Sequence, residues 1–331
     1  MPLAPTPSLT RRRAIGLAAA LGCLGPAQLV QAQSTWPDKP VRLVVGFPPG
    51  GGVDVMARIV SQPLSELLGK PVVVDNKPGA ASNLAMTEVA HASADGHTVL
   101  FGPSTVQTAN PYLYKVNTNP TTSLAPVASV GRYQLHLVVR NGLPVKDLKE
   151  LIAYARSHPG KLSYASAGAG TTPHLVSELF LQEADIQALH VPYRGSAPAL
   201  QAVIAGEADF VLDPGISFPH VRTGKARMFA VASASRSRQF PEIRTIVEDG
   251  IRGLDLDTWI GLWMPANAPE AARNKLAGAL AKVLADPAVQ QKFHTLNGEA
   301  VFMGAADYRA LLEKETAVFS ALIKGRKIVA E

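Results

Sequence analysis

A chain of 331 residues exceeds one average domain and is long enough for two, each with its own core. Hydrophobic residues at 47% and charged residues at 18% exclude a disordered or fibrous protein. The formal net charge of +6 is spread without any run of five or more like charges, which excludes the basic, aromatic-interleaved stripe of a nucleic-acid binder.

The chain opens with Arg11, Arg12 and Arg13, an apolar stretch over Ala14–Leu24, and a break at Gly25-Pro26. Val30-Gln31-Ala32 then offers small residues for cleavage before Gln33. This anatomy predicts a signal peptide over residues 1–32 and a periplasmic mature protein, the apolar stretch being too short to span a bilayer. A buried helix is the other reading, and the three arginines and the Gly-Pro break oppose it. Thr10-Arg11-Arg12-Arg13 resembles a twin-arginine signal, so that route and the general Sec route both stay open. Cys23 raises a lipid-anchor alternative, although Ala20 stands where such a motif favours leucine. Loss of residues 1–32 removes three arginines, taking Lys plus Arg from 32 to 29 against 26 acidic residues, a net charge of +3. It also removes the single cysteine, so the mature chain needs no disulfide.

Beyond the leader, strand-like and helix-like segments alternate. Val41–Val45 predicts a strand that ends in Gly46-Phe47-Pro48-Pro49-Gly50-Gly51-Gly52. Val53–Leu68 carries apolar residues at helical spacing, with Pro63 as a candidate kink. Val72–Val74 predicts a strand, Asn83–Ala92 a helix and Thr98–Phe101 a third strand. The grammar returns with a strand at Leu162–Ala165, a loop at Gly168–Thr172 and a helix at Pro173–Glu183. Strands at Leu189–Val191, Phe210–Leu212 and Met228–Ala232 follow, with a helix over Ala197–Ala205. Such alternation predicts α/β architecture with parallel sheets covered on both faces, built as two similar domains. Leu135–Arg140 and Trp259–Met264 are extended apolar runs that read as the two crossings between the domains. Residues 33–136 with 257–331 are thereby expected to form lobe 1, and 137–256 lobe 2. The helical tail (Glu270–Ala285, Ala288–Leu296 and Ala306–Ile323) is expected to pack on the first domain.

In an open parallel sheet, ligands bind beyond the carboxyl ends of the strands. The turn of Phe47, Pro48, Pro49, Gly50 and Gly51 occupies such a place, where bare backbone and a helix N-terminus suit an anion. Turn geometry alone is the plainer reading, and Asp54 fits either a dipole-complementing role or a ligand contact. The glycine spacing is neither that of a P-loop nor that of a dinucleotide fingerprint. The second loop, with Gly170, Thr171 and Thr172, again precedes a helix with proline in its first turn. Capping by Thr172 competes there with binding. No nucleophile elbow, carboxylate pair or metal-spaced cluster is present, and His136, His190 and His294 read as structural. No catalytic residue, metal ligand or cofactor is therefore expected.

Several segments carry a resemblance to a known family. Trp36-Pro37-Asp38-Lys39-Pro40-Val41-Arg42, Phe47–Asp54, Val72–Ala80 and Asp95–Leu100 are similar to the Bug (TctC-like) receptors of tripartite tricarboxylate transporters. So are Pro159–Leu162, Thr171–Leu175 and His190–Gly195, so the match spans the mature chain. The resemblance implies a two-lobed type II periplasmic-binding-protein fold with a ligand cleft between the lobes. It implies a monomer that binds a small organic acid or amino acid, with transporter membrane subunits as possible partners and no enzymatic activity. An exported hydrolase or isomerase on the same scaffold is the alternative. The implied ligand loops hold Phe47–Asp54, Ser104 and Thr105, Gly170 to His174, Tyr193 with Gly195 and Ser196, and Asp213. Arg194 favours an anion. Two departures stand out: His97 where tyrosine is usual, and Ser82 in place of a frequent glycine.

Overall fold

Short apolar runs that end in glycine turns, such as Val41–Val45 and Leu162–Ser166, form strands that feed helices. The computed structural model describes Met1 and residues 36–115, 117–254 and 256–329. The leader features at Arg11–Arg13, Cys23 and Ala32, and Asp255, lie outside the described residues. Strand β1 (Val41–Val45) enters helix α1 (Gly52–Leu68), β2 (Val72–Asn76) precedes α2 (Asn83–Ala90), and β3 (Thr98–Pro103) leads into three short helices. These are α3 (Thr105–Thr108), α4 (Asn110–Leu113) and α5 (Pro120–Ser123). Then β4 (Leu124–Tyr133) passes through the single residue Gln134 into β5 (Leu135–Val139). Next come α6 (Leu148–Ser157), β6 (Leu162–Ser166), α7 (Thr172–Glu183), β7 (Ala188–Pro192) and α8 (Ser196–Ala205). They are followed by β8 (Phe210–Asp213), α9 (Phe218–Arg222) and β9 (Arg227–Ala232). The chain closes with β10 (Thr258–Pro265), α10 (Glu270–Ala285), α11 (Pro287–Thr295), β11 (Gly298–Ala300) and α12 (Ala305–Arg326).

Two sheets result, of six strands in the order β11-β4-β10-β3-β1-β2 and of five in the order β7-β6-β8-β5-β9. Neither is wholly parallel, which corrects the sequence expectation. β1 pairs in parallel with β2 and β3, and β6 with β7 and β8. In contrast, β10 runs antiparallel to both β3 and β4, and β5 to both β8 and β9. The two apolar runs read as crossings are thus the inserted antiparallel strands, one per sheet. Periodicity predicts a strand's burial but not its direction, which depends on the sheet the chain has just left.

The amphipathic pattern of α1 behaves as expected. Val53, Met56, Ala57, Val60, Leu64 and Leu68 are buried, and Gly69 ends the helix in a left-handed conformation at φ 68°. Pro63 lies within the helix without ending it. That face packs on Leu43, Val99, Phe101 and Leu262 of the six-stranded sheet. Phe101 is fully buried, and its replacement by alanine costs about 3–5 kcal/mol.

Helix α12 departs from the expected packing on one domain. Its Tyr308 and Leu312 join Val44, Leu100 and Trp263 around the six-stranded sheet. Its Phe319, Leu322 and Ile323 enter the other core, with Leu135, Tyr164, Leu175 and Phe210. Ala109 and Leu113 enter that second core too. The halves are therefore joined by two strand crossings and also by a buried apolar joint.

Candidate functional site

Five loops at strand ends carry the predicted ligand residues. The first follows β1. Phe47 is half-buried, whereas Pro48, Pro49, Gly50 and Gly51 face solvent. Gly50 has φ 81°, a conformation that favours glycine. Its amide donates to Asp54 Oδ2 at 2.9 Å. The side chain of Asn76 donates to Phe47 O at 3.0 Å and to Asp54 Oδ1 at 2.9 Å, and Arg58 Nε donates to Asp54 Oδ2 at 3.0 Å. Burial pushes the Asp54 carboxyl up, but the bonds from Arg58, Gly50 and Asn76 outweigh it and hold it below the usual carboxylate range. Of the two roles open to Asp54, the geometry supplies a brace for the turn. The first helical bond is Val55 N–H to Gly51 O, so the amides of Gly52, Val53 and Asp54 begin the helix without intrahelical acceptors.

The second loop follows β6 and opens α7. Ser166 Oγ accepts the Gly168 amide at 3.1 Å, and Thr171 Oγ1 donates to Gly168 O at 2.7 Å. Thr171, not Thr172, is the N-cap, and it makes no side-chain cap bond. Its hydroxyl is spent on the loop, and Thr172 is already the first helical residue, so the capping expected of Thr172 does not occur. Gly170 has φ 76°, and its amide donates to His174 Nδ1 at 3.0 Å. His174 is thus beneath the loop, buried and stacked on His190 at 4.0 Å between ring centroids. Burial, with His190 nearby, lowers its pKa to about 3. His190 in turn lies 2.7 Å from Ser166 Oγ.

The third loop, after β7, is tied to the second. Tyr193 N–H donates to Ser166 O at 3.0 Å and Gly195 N–H to Ala167 O at 3.1 Å. Gly195, at φ 114°, and Ser196 then open α8. Arg194 is exposed beside them. The fourth loop follows β8. Asp213 is fully buried and its Oδ2 accepts the amides of Gly215 at 2.7 Å and Ser217 at 2.9 Å. Burial pushes its pKa up against those bonds, and Oδ1 has no partner among the described residues. The fifth loop holds Ser104 and Thr105, both buried after β3. Behind it Glu315 of α12 is buried, its carboxyl pushed up to about 7 by burial against the pull of the Ser104 and Thr108 hydroxyls.

The structure therefore gathers Gly168–Thr172 and Tyr193–Ser196 into one hydrogen-bonded group. No hydrogen bond among the described residues joins that group to Phe47–Asp54, which stands on the other sheet. A cavity of about 200 Å³ opens instead beside the chain crossing, lined by Arg132, Gln134, Arg238, His294 and Asn297. None of the predicted ligand residues lines it.

The departures at His97 and Ser82 find different explanations. His97 lies 3.0 Å from Asp38 and 3.2 Å from Asp95, at the start of β3, the end opposite the Ser104–Thr105 loop. Ser82, at φ 75°, ends a run with Ala80 at φ 47° and Ala81 at φ 49°. Asn110 pins this run by donating to Ala81 O at 2.9 Å. Left-handed residues other than glycine cost of order 1–3 kcal/mol each, so the turn is strained where a glycine would relax it. Sequence reasoning missed Asn76, Tyr114, Asn110 and Glu315. Only Asn76, inside the Val72–Ala80 segment that carries the family resemblance, carried a local signal.

Comparison with known proteins follows the same outline. A family model of tripartite tricarboxylate transporter family receptors, TctC, matches residues 56–328. A UPF0065 protein from the tcbD-tcbE intergenic region of Pseudomonas sp. (strain P51) is 35% identical, over 94% of each chain. The solved periplasmic binding protein BugD is 30% identical with a TM-score of 0.80, covering 89% of this chain and all of that one. R. palustris Rpa4515, solved with adipate, is 31% identical with a TM-score of 0.83 over the same shares. With its two α/β halves and loops at the strand ends, the chain belongs to the tripartite tricarboxylate transporter receptor family and is a solute-binding receptor of the periplasmic-binding-protein fold.

Proposed function

We propose that this receptor captures a small carboxylate-bearing solute, an organic acid or an amino acid, between its two halves and without chemical turnover. One observation carries the reading. Each sheet sends a parallel strand into a glycine-rich loop that opens a helix of ten or more residues, α1 and α7, with unpaired amides in its first turn. Amides at a helix N-terminus favour negative charge. Adipate on Rpa4515 supports the same ligand class. Arg194 adds a cation at the rim of the second site. The halves, assigned as residues 33–136 with 257–331 and residues 137–256, rotate about the strand crossings to shut the cleft. The receptor acts in the periplasm after loss of residues 1–32, as a monomer that delivers to transporter membrane subunits.

Thermal unfolding of delipidated protein across a panel of organic acids and amino acids tests the reading. At about 100 times its dissociation constant, the true ligand stabilises by about 2.7 kcal/mol. No shift from any acid, in protein confirmed to be free of bound ligand, overturns the carboxylate assignment. Conversion of a panel member to product overturns the receptor assignment in favour of an enzyme.

A further inference from the structure

The second glycine loop is held from outside its own half. Tyr114 follows α4, on the connection between β3 and β4 of the six-stranded sheet. Its hydroxyl donates to Ala169 O, across to the other sheet's loop, at 2.7 Å. The next amide along, Gly170 N–H, donates to His174 Nδ1 at 3.0 Å. Both polar groups of the peptide between Ala169 and Gly170 are thereby taken, one from each half. Packing tells the same story. A Cβ on Gly170 would lie 3.0 Å from the Tyr114 ring and 3.1 Å from Leu113, so the absent side chain makes room for this contact.

A peptide fixed at both ends sets the direction of the chain as it enters α7, and hence where the free amides of Thr172 and His174 point. We propose that Tyr114 is a positioning residue of the ligand site, which orients the Gly168–Thr172 loop from the opposite half through the Ala169 carbonyl. The inference rests on the reading of that loop as a ligand loop. It adds a residue that touches no ligand itself, and it couples loop shape to the relation between the halves. A second tie supports the geometry. Arg326, in the last turn of α12, meets Glu178 of α7 at 2.5 Å, and Glu178 accepts from the Tyr164 hydroxyl. Tyr164 stacks on His190, which stacks on His174. The loop and its helix are thus gripped on two flanks by elements anchored on the six-stranded sheet.

Tyr114→Phe deletes the hydroxyl and keeps the ring against Gly170. Tyr112→Phe, which removes the hydroxyl of an exposed neighbouring tyrosine, is the control. Hydrogen exchange by mass spectrometry on the ligand-free proteins reads the loop directly, and adipate titration reads the site. With one neutral hydrogen bond lost, amides of residues 168–172 should exchange roughly three- to tenfold faster in Tyr114→Phe, with exchange elsewhere unchanged. Tyr112→Phe should match the wild type. The 15N shift of His174 Nδ1 should also move in Tyr114→Phe, because the Gly170 amide no longer arrives at a fixed place; a purely space-filling tyrosine would leave it still. Unchanged loop exchange and an unchanged His174 shift overturn the proposal. If wild-type protein binds adipate, a weaker affinity in Tyr114→Phe supports the assignment, and equal affinity limits Tyr114 to structure and overturns it. Wild-type protein that binds no acid counts against the carboxylate reading, and the exchange and shift data then decide on Tyr114 alone.

Discussion

The Asp54 carboxylate accepts the Gly50 amide at 2.9 Å, closing the first glycine turn onto the helix that the same turn opens. A residue that sequence leaves open between ligand contact and dipole partner is here a clasp, with Arg58 and Asn76 on its remaining lone pairs. Replacement of Asp54 by alanine leaves the half-buried Asn76 amide group and the Gly50 N–H short of an acceptor. Loss of such a charged acceptor costs about 1–3 kcal/mol. Urea unfolding should show that loss, and ligand affinity should fall with it. Stability unchanged within error would show that the clasp is idle.

Gly51 has φ −73°, open to any residue, and a Cβ there would meet only Pro48 O, at 3.4 Å. Gly51→Val should therefore fold while its branched side chain fills the space beside the free amides, abolishing binding. Arg194→Ala removes an exposed charge and should cost less, about 1 kcal/mol or under. Calorimetry on both variants ranks them, and the reverse order refutes recognition by backbone donors.

His136 and His174 are both buried, and burial lowers their pKa values to about 4 and about 3. Their unfolded values lie near 6.5. The unfolded chain therefore takes up protons first, and acid favours unfolding. The stabilisation is complete above about pH 6.5 and drains as pH falls toward the folded values. At pH 5 each of the two has lost roughly 2 kcal/mol relative to neutral pH. Protonation of His174 also breaks its bond from the Gly170 amide. Melting temperature measured from pH 7.5 to 4.5 should fall, and His174→Gln should flatten the fall; a level profile would contradict the burial of both rings as neutral groups.

Exported protein should begin at or near Gln33, as N-terminal sequencing will read. A diacylglycerol-modified Cys23 would instead establish an anchored receptor.

Ligand should also change the shape of the molecule. A ligand shifts a conformational equilibrium only by its differential affinity for the two states, and one gripping a loop in each half gains contacts on closure. Small-angle scattering should show a smaller radius of gyration at saturation. The joint of Phe319, Leu322 and Ile323 keeps the halves in contact on one side, so closure should bring together the side away from it. An identical profile would mean fixed halves.

Helices that bury one clean face and short strands buried on both were legible in sequence, as α1 and β1 show. Several other elements were not seen, β4 and α6 among them. β4 holds Pro126, Ser129 and Gly131, which break an apolar pattern, yet it lies inside the six-stranded sheet. Register shifts against β10 absorb the irregularity, and Ser129 Oγ is satisfied by Val301 O at 2.7 Å. α6 had a signal that went unused. Asp147 accepts the Glu150 amide at 2.8 Å while Glu150 accepts the Lys146 amide at 2.9 Å, a box readable from an acidic pair three residues apart. At the site, glycine turns and helix starts were visible because their cause is local. Tyr114 on Ala169 and Arg326 on Glu178 were not, because each joins distant segments and depends on how the two halves meet.

The place of β10 between β3 and β4 has a consequence for the order of assembly. The five-stranded sheet is drawn from one continuous stretch, β5 to β9, and can zip up as soon as that stretch has emerged. The six-stranded sheet cannot. Until Thr258–Pro265 arrives, β3 and β4 have nothing between them, and each bares an apolar edge of the kind that recruits other strands. A nascent chain in this condition stays unfinished over its first half until most of it has been synthesised. If the Sec route is the one used, which carries chains unfolded, that delay would keep the chain loose at the end that enters first.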